Sequence, residues 1–221
     1  PDSISAEKLR VLKRLGVTRV CINPQTMNDE TLARIGRRHT AQDIHNAFAL
    51  ARDTGFQDIN MDLIAGLPGE TPADMRASLA AVSALAPEAV TVHTLALKRA
   101  SDLVRTRQNW VLPSAAAVEE MLVDAALAAR NMDLRPYYMY RQKYMRGNLE
   151  NVGYATPGRE CLYNVDMMEE TVNVMAHGAG AMTKRVYGGE RRVERLPAPK
   201  DIAAYCAKVP QLTENKRKLF C

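Results

Sequence analysis

The chain has 221 residues, of which 47% are hydrophobic and 25% charged, a balance typical of a folded globular protein rather than a disordered or collagen-like one. Thirty lysines and arginines against 25 aspartates and glutamates leave a net charge of +5, which favours acidic ligands without identifying one. No apolar run reaches the ~18 residues that a membrane span requires, and the first residues do not form a signal peptide, so we expect a cytoplasmic protein with no membrane partner.

Two further features of the composition narrow the range of ligands. Aromatic residues make up 5% of the chain, which leaves few rings for stacking on single-stranded nucleic acid, so no nucleic-acid partner is expected. The four cysteines are far apart, with no Cys-x-x-Cys pair and no metal-ligand spacing. We therefore expect reduced thiols rather than disulfides or metal ligands at Cys21, Cys161, Cys206 and Cys221.

Helical periodicity and strand-like runs alternate through the first two thirds of the chain. The helical periods and their caps predict helices over residues 4–15, 31–35, 43–54, 72–85 and 114–130. The β-branched runs predict strands over residues 18–23, 58–64, 89–95 and 137–140. This alternation with short connections is typical of βα units around a parallel sheet. Whether the sheet closes into a barrel depends on the strand order, which the periodicity leaves open.

The pattern changes near residue 147. Glycine, proline, asparagine and tyrosine become frequent, and the two remaining helical stretches, over residues 167–175 and 199–208, are separated by turns. We therefore predict two domains, an α/β domain over residues 1–146 and an α+β appendage over residues 147–221.

Each of the first three predicted strands has one aliphatic and one polar face, because successive side chains of a strand point to opposite sides. The polar faces contain Cys21, Asn23, Gln25, Asn60, Asp62, Thr91 and His93, if the first strand continues to residue 25. A closed barrel normally fills its interior with branched apolar side chains. A polar interior therefore indicates a bound ligand near the carboxyl ends of the strands.

Asp62 is the most informative residue of this polar face. A carboxylate there needs a charged or hydrogen-bonding partner, since burying it alone is costly. One interpretation is a structural ion pair with an arginine. The other, which we favour because Gln25 and His93 share its parity, is contact with the hydroxyls or amine of a polar ligand.

Three segments together carry a family resemblance. They are residues 19–32 (RVCINPQTMNDETL), 35–40 (IGRRHT) and 60–71 (NMDLIAGLPGET). Their sequences and spacing closely resemble those of the oxygen-independent coproporphyrinogen III oxidase-like radical S-adenosylmethionine (SAM) proteins. A later segment, residues 138–154 (YMYRQKYMRGNLENVGY), resembles the variant of that family known as coproporphyrinogen dehydrogenase.

The resemblance implies a fold and a cofactor site. The fold would be a portion of a radical SAM partial (β/α)6 TIM-type barrel with a C-terminal α+β appendage. By position, Gln25, Arg37 and Asp62 match the family residues that hold SAM, and His93 matches a position that lines the adenine pocket. These chemistries suit the roles, because a carboxylate accepts from ribose hydroxyls and an arginine can pair with a carboxylate through two bonds.

The sequence departs from the family in one respect. The family holds a four-iron four-sulfur (4Fe-4S) cluster with a Cys-x3-Cys-x2-Cys motif, and this sequence contains no such motif. Because its first residues match the family only after the second barrel strand, we interpret the chain as truncated at the N-terminus. We expect it to be inactive alone, with no catalytic residue and no metal ligand of its own.

The family's reaction suggests a function for the parent protein. That reaction is the oxidative decarboxylation of coproporphyrinogen III to protoporphyrinogen IX in anaerobic haem biosynthesis, on a porphyrinogen with four carboxylates. Basic residues of the C-terminal half could face such a substrate, or they could simply face solvent or a nucleic acid. They are Arg141, Arg146, Arg159, Lys184, Arg185, Arg191, Arg192 and Arg195. The alternative is a haem-binding or haem-trafficking protein of the same superfamily, with His177 and the methionines as possible ligands.

Overall fold

A five-stranded sheet organises the N-terminal part of the chain in a computed structural model that describes residues 1–96, 111–141, 149–188 and 192–221. The strands are β1 (Arg19–Cys21), β2 (Asp58–Ala65), β3 (Ala89–Thr94), β4 (Arg135–Tyr140) and β5 (Asn151–Ala155). Their order is β1-β2-β3-β5-β4. Strands β1, β2 and β3 are mutually parallel, which confirms the predicted α/β arrangement.

Strand β5 was not predicted, and it changes the position of β4. It lies between β3 and β4 and runs antiparallel to both. Strand β4, predicted from its tyrosines, is therefore parallel to β3 without being its neighbour. Because β5 belongs to this sheet, the first compact unit extends over Pro1–Glu160, and the second over Cys161–Cys221. The structure thus divides the chain later than the predicted boundary at residue 146.

In the described part of the chain, five helices accompany the sheet, and each begins within two residues of its predicted position. They are α1 (Ala6–Arg14), α2 (Asp29–Arg34), α3 (Ala41–Asp53), α4 (Pro72–Leu85) and α5 (Ala115–Asn131). Local chemistry explains the accuracy, because a Ser, Thr or Asn side chain caps each N-terminus. In α3 and α4 the cap is a complete capping box, formed by Thr40 with Asp43 and by Thr71 with Asp74.

The core lies on one face of the sheet. Ile59, Met61 and Leu63 alternate along β2 and are fully buried, in one cluster with Ile44 of α3 and Val82 of α4. Each such side chain contributes roughly 1.5–3 kcal/mol by leaving water. The core therefore fixes which face of β2 meets the helices, and the residues between these three lie on the opposite face.

The second unit contains α6 (Leu162–Glu169), a hairpin of β6 (Met182–Val186) and β7 (Val193–Pro197), and α7 (Ile202–Phe220). The hairpin was not predicted, and α6 ends where the predicted helix over residues 167–175 was to continue, because Glu170 adopts a left-handed conformation. Helix α7 contains Pro210 and continues well past the predicted end at residue 208. None of the helices in the described parts of the chain is long and apolar enough to cross a membrane.

Candidate functional site

The face of the sheet opposite the core is polar and aromatic. One row of paired residues crosses it from β2 to β4, since Asp62 pairs with Thr91, Thr91 with Gly153, and Gly153 with Tyr138. Paired residues point to the same side of a sheet. The row therefore brings a carboxylate, a hydroxyl and a phenol side by side, and the glycine leaves space between them.

Hydrogen bonds connect this row to its neighbours on the same face. Asn60 Nδ2 donates to Asp62 Oδ1 at 2.7 Å, and Thr91 Oγ1 donates to Asn60 Oδ1 at 3.2 Å. His93 Nε2 lies 3.7 Å from Asp62 Oδ2, and Tyr140 Oη lies 3.3 Å from His93 Nδ1. The network thus fixes the orientation of the Asp62 carboxylate while 20% of its side chain stays exposed.

Tyr138 forms the aromatic part of this face. Its ring is nearly parallel to that of Tyr140, with an interplanar angle of 5° and centroids 6.1 Å apart. Burial raises the pKa of Tyr138 to about 12, against the smaller lowering effect of its hydrogen bond with Thr91. The phenol therefore keeps its proton at neutral pH and offers a neutral aromatic surface next to Asp62.

Gln25 adopts an unusual backbone conformation where β1 would continue. Its φ angle is 71°, in the left-handed region that non-glycine residues seldom occupy. Gln25 N donates to Asp62 O at 2.9 Å, and Ile64 N donates to Gln25 O at 2.8 Å. These two bonds bring Gln25 to the carboxyl end of β2, beside Asp62.

The predicted parity of the first strand is corrected at this point. Cys21 pairs with Asn60 but Gln25 bridges Leu63, so the register shifts by one residue between them. Pro24 lies in this interval and has no N–H for a ladder hydrogen bond. Gln25 therefore reaches the edge of the sheet through a left-handed turn and not through a continued extended strand. The Asn23 Oδ1 atom is buried beside this turn and has no hydrogen-bond partner among the described residues.

Arg37 lies on the exposed loop after α2. Its side chain makes no hydrogen bond or ion pair with another residue in the described ranges, and nothing joins it directly to Gln25, Asp62 or His93. The loop itself is attached to the site, because Nε2 of the buried His39 lies 3.3 Å from the carbonyl oxygen of Pro24. The structure thus brings Gln25, Asp62 and His93 together and leaves Arg37 on a neighbouring loop.

A buried polar cluster beneath the Gln25 turn was not recognised in the sequence. Thr26 Oγ1 donates to Glu70 Oε1 at 2.6 Å and lies 3.2 Å from Ser78 Oγ. Burial raises the pKa of Glu70, and the hydroxyls of Thr26 and Thr31 act in the opposite direction. The sequence offered one signal for this cluster, the glutamate directly after the Gly-Leu-Pro-Gly turn. Because a glutamate is seldom buried without a partner, a buried glutamate at this position requires a hydrogen-bonding side chain nearby.

The described residues contain no group of three or more His, Cys, Asp or Glu side chains that could hold a metal ion. No disulfide joins the four cysteines, all of which the structure describes. The described side chains therefore do not fit an iron–sulfur cluster, whose usual ligands are cysteine thiolates.

Most of the basic residues singled out in the C-terminal half have acidic or aromatic partners. Arg141 pairs with Glu150 at 2.7 Å and Arg159 with Asp58 at 3.0 Å. In the second unit, Glu170 binds both Lys184 and Arg195. Arg146 and Arg191 lie outside the described residues. These ion pairs favour a surface role for the positive charge.

Comparisons with known proteins agree on one family. The model of the radical SAM superfamily matches residues 1–82. The chain is 41% identical over 218 residues to the oxygen-independent coproporphyrinogen-III oxidase-like protein HemZ of Bacillus subtilis, covering 99% of this chain and 44% of HemZ. It is also 41% identical over 95 residues to the heme chaperone HemW of Bacillus subtilis, covering 43% of this chain and 25% of HemW.

Among solved structures, coproporphyrinogen III oxidase (HemN) of Escherichia coli, a radical SAM enzyme, has a similar fold. The TM-score is 0.70 at 19% sequence identity, over 95% of this chain and 47% of that one. This likeness supports the fold alone. The chain thus spans less than half the length of the relatives HemZ and HemN.

Proposed function

Because the chain belongs to the oxygen-independent coproporphyrinogen-III oxidase-like family of radical SAM proteins, we propose that it forms the SAM-binding part of a radical SAM enzyme that acts on a porphyrinogen. The observation that carries this proposal is the meeting of Gln25, Asp62 and His93 at the carboxyl edge of parallel strands. This edge is where ligands bind in such sheets.

Each side chain has a chemistry that suits one part of SAM. The Asp62 carboxylate has lone pairs that can accept from the ribose hydroxyls, because Asn60 occupies one position on Oδ1 and, among the described residues, Oδ2 has only the 3.7 Å contact with His93. His93 offers a ring edge for adenine, and the Gln25 amide can donate or accept. Arg37, which makes no ion pair within the described part of the chain, can bind the methionyl carboxylate if its loop brings it close.

The chemistry also requires a 4Fe-4S cluster that the residues of this chain do not fit. A reduced cluster of this kind would supply the one electron that cleaves SAM to methionine and a 5′-deoxyadenosyl radical, the species that would oxidise the substrate. The sequence has no Cys-x3-Cys-x2-Cys motif, so in our proposal the cluster ligands belong to a part of the full-length protein outside these residues. The role of this chain is to bind and orient SAM.

For the substrate we propose coproporphyrinogen III, whose propionate groups would be oxidatively decarboxylated. The support is the 41% identity to a protein named as coproporphyrinogen-III oxidase-like. The test is an anaerobic assay of the full-length protein with reconstituted cluster, SAM, a reductant for the cluster, coproporphyrinogen III and an electron acceptor that takes the second electron of each decarboxylation. Formation of 5′-deoxyadenosine together with protoporphyrinogen IX is expected, and SAM cleavage without this product would refute the substrate.

A second candidate function is haem binding without oxidase activity. It is favoured by the 41% identity of 95 residues to a protein named as a heme chaperone. A titration of the full-length protein with haem, followed at the Soret band beside the oxidase assay, separates the two. Saturable haem binding without protoporphyrinogen formation would establish this second function.

A further inference from the structure

We propose that Glu70 is a positioning residue for the SAM-binding edge, and that it holds Gln25 in place through Thr26. This inference rests on the proposed function, since it assumes that Gln25 contacts SAM. Neither Glu70 nor Thr26 reaches the open face of the sheet, because they are 4% and 1% exposed beneath the turn.

The conformation of Gln25 requires support from its surroundings. A left-handed backbone is disfavoured for a side-chain-bearing residue, and it persists where neighbouring contacts over-determine it. The two backbone bonds to Asp62 and Ile64 fix the peptide groups of Gln25 against β2. The residues on either side must also be held, since the turn could otherwise relax toward an extended strand.

Both neighbours of Gln25 are held by buried side chains. On one side, the Pro24 carbonyl oxygen lies 3.3 Å from His39 Nε2. On the other side, Thr26 Oγ1 donates to Glu70 Oε1 at 2.6 Å. At 2.6 Å the bond to Glu70 has the length of a good O–H···O hydrogen bond, whereas 3.3 Å is long for the contact with His39. Glu70 therefore provides the firmer of the two anchors.

The cluster around Thr26 extends this anchor to two helices. Thr26 Oγ1 also lies 3.2 Å from Ser78 Oγ in α4, and Ser78 Oγ accepts from Met27 N at 3.0 Å. Thr26 Oγ1 further accepts from Asn28 N at 3.2 Å, directly before α2. The turn that carries Gln25 is thus attached to α4 and to the start of α2 through one hydroxyl.

Glu70 is itself held in position by the loop on which it lies. Arg34 Nη1 of α2 donates to Pro68 O at 2.7 Å, two residues before Glu70. A β-carbon on Gly69 would come within 2.3 Å of this Arg34 nitrogen, so the loop packs directly against the guanidinium. Because this loop packs against Arg34, the position of Glu70, and through it that of Thr26, is tied to α2.

The test measures SAM affinity by anaerobic equilibrium dialysis on the full-length protein with reconstituted cluster. We expect Glu70→Ala and Thr26→Val to raise the Kd for SAM about tenfold, equivalent to ~1.4 kcal/mol. Glu70→Gln keeps an acceptor oxygen and Thr26→Ser keeps the hydroxyl, so we expect both matched controls to stay within about twofold of wild type. If Glu70→Ala does not fold, the Thr26 pair provides the same comparison.

A Gln25→Gly background separates positioning from a general loss of structure. Glycine adopts the left-handed conformation without strain and lacks the amide that would contact SAM. If Glu70 acts through Gln25, Glu70→Ala has no further effect on the Kd in this background. A tenfold effect that persists there would overturn the inference.

The outcome for wild type distinguishes the two proposals. If the wild-type protein binds SAM and Gln25→Gly weakens binding, but Glu70→Ala and Thr26→Val do not, the positioning role is overturned and the SAM site stands. If wild type with an intact cluster does not bind SAM, the proposed function fails, and the positioning role fails with it.

Discussion

The ring of Tyr138 lies directly over Gly153, so closely that a β-carbon on the glycine would come within 1.9 Å of Tyr138 Cε1. The two residues are cross-strand partners of β4 and β5. The missing side chain of Gly153 therefore allows the phenol to lie against the sheet beside Thr91 and Asp62.

The close approach of Tyr138 to Gly153 predicts how a methyl group added at residue 153 changes the stability of the protein. Gly153→Ala must displace the Tyr138 ring, and we expect a loss of about 1–3 kcal/mol in the free energy of unfolding, the usual cost of overpacking. Urea unfolding measures it. Gly188→Ala is the matched control, since a β-carbon there meets nothing within 4 Å. In a Tyr138→Ala background the cost of Gly153→Ala should largely disappear, and an unchanged cost would show that the ring is not its cause.

The carboxylate of Asp62 provides the second prediction, which concerns ligand affinity. Asp62→Asn removes the negative charge that accepts hydrogen bonds on the open face, and hydrogen bonds to charged groups contribute about 1.5–3 kcal/mol. We therefore expect the Kd of the full-length protein for SAM to rise at least about tenfold. Asp53→Asn, at the exposed end of α3, is the control and should leave the Kd unchanged. Equal affinities of the Asp62→Asn variant and wild type would exclude Asp62 from the SAM site.

The third prediction concerns the pH dependence of the second unit. Hydrogen bonds from Lys184 and then Arg195 hold the pKa of Glu170 below its usual value of 4.5. A carboxyl whose pKa is lower in the folded state adds stability above the unfolded pKa and loses it as the pH falls through the folded value. Glu170→Gln should thus reduce stability at pH 7 by a few tenths to about 1 kcal/mol.

The difference between Glu170→Gln and wild type should shrink as the pH falls through the folded-state pKa of Glu170, which lies below 4.5, because the carboxyl is then protonated in both the folded and the unfolded protein. Urea unfolding at a series of pH values tests this dependence. Glu214→Gln is the control, because its 3.7 Å pair with Lys218 is mostly exposed. A Glu170→Gln effect that is constant across the series would mean that charge is not its source.

The fourth prediction uses the end of α4. Ala86 caps this helix with a φ of 51°, in the left-handed region. A left-handed backbone costs a residue with a side chain roughly 1–2 kcal/mol, and glycine avoids this cost. Part of the gain is lost because glycine has more conformational freedom in the unfolded chain. We expect Ala86→Gly to stabilise the protein by about 0.5 kcal/mol. Ala84→Gly, inside the same helix and exposed, should instead destabilise it by about 1 kcal/mol. Thermal unfolding of both variants gives the signs directly.

The local elements could be predicted because their signals lie close together in the chain. Helix caps and the helical spacing that follows them act over one or two turns. The capping residues are Ser5, Asn28, Thr40, Thr71 and Ser114. The alternation in β2 likewise separated the buried Met61 from the open-face Asp62. The missed strand β5 has a short sequence, NVGYA, whose stability comes from its pairing with β3 and β4. Such pairing is non-local and leaves little trace in the strand itself.

The candidate site was predictable in part for the same reason. Asp62 and His93 follow from strand parity, because β2 and β3 are regular and in parallel register. Gln25 follows from the family resemblance, whereas parity gives it a wrong register because Pro24 interrupts the ladder. Arg37 stays a prediction, since its loop is attached through His39 and its side chain contacts none of the other three residues.

By itself, the sequence determined the α/β class, the helix starts of the first unit and the family, because these depend on neighbouring residues and on motifs read in order. Only the tertiary structure decided that β5 separates β3 from β4, that Tyr138 lies on Gly153, and that Glu70 lies under Thr26. Those contacts join residues far apart in the chain. Their energies depend on the distances and burial that folding creates, and no local pattern encodes them.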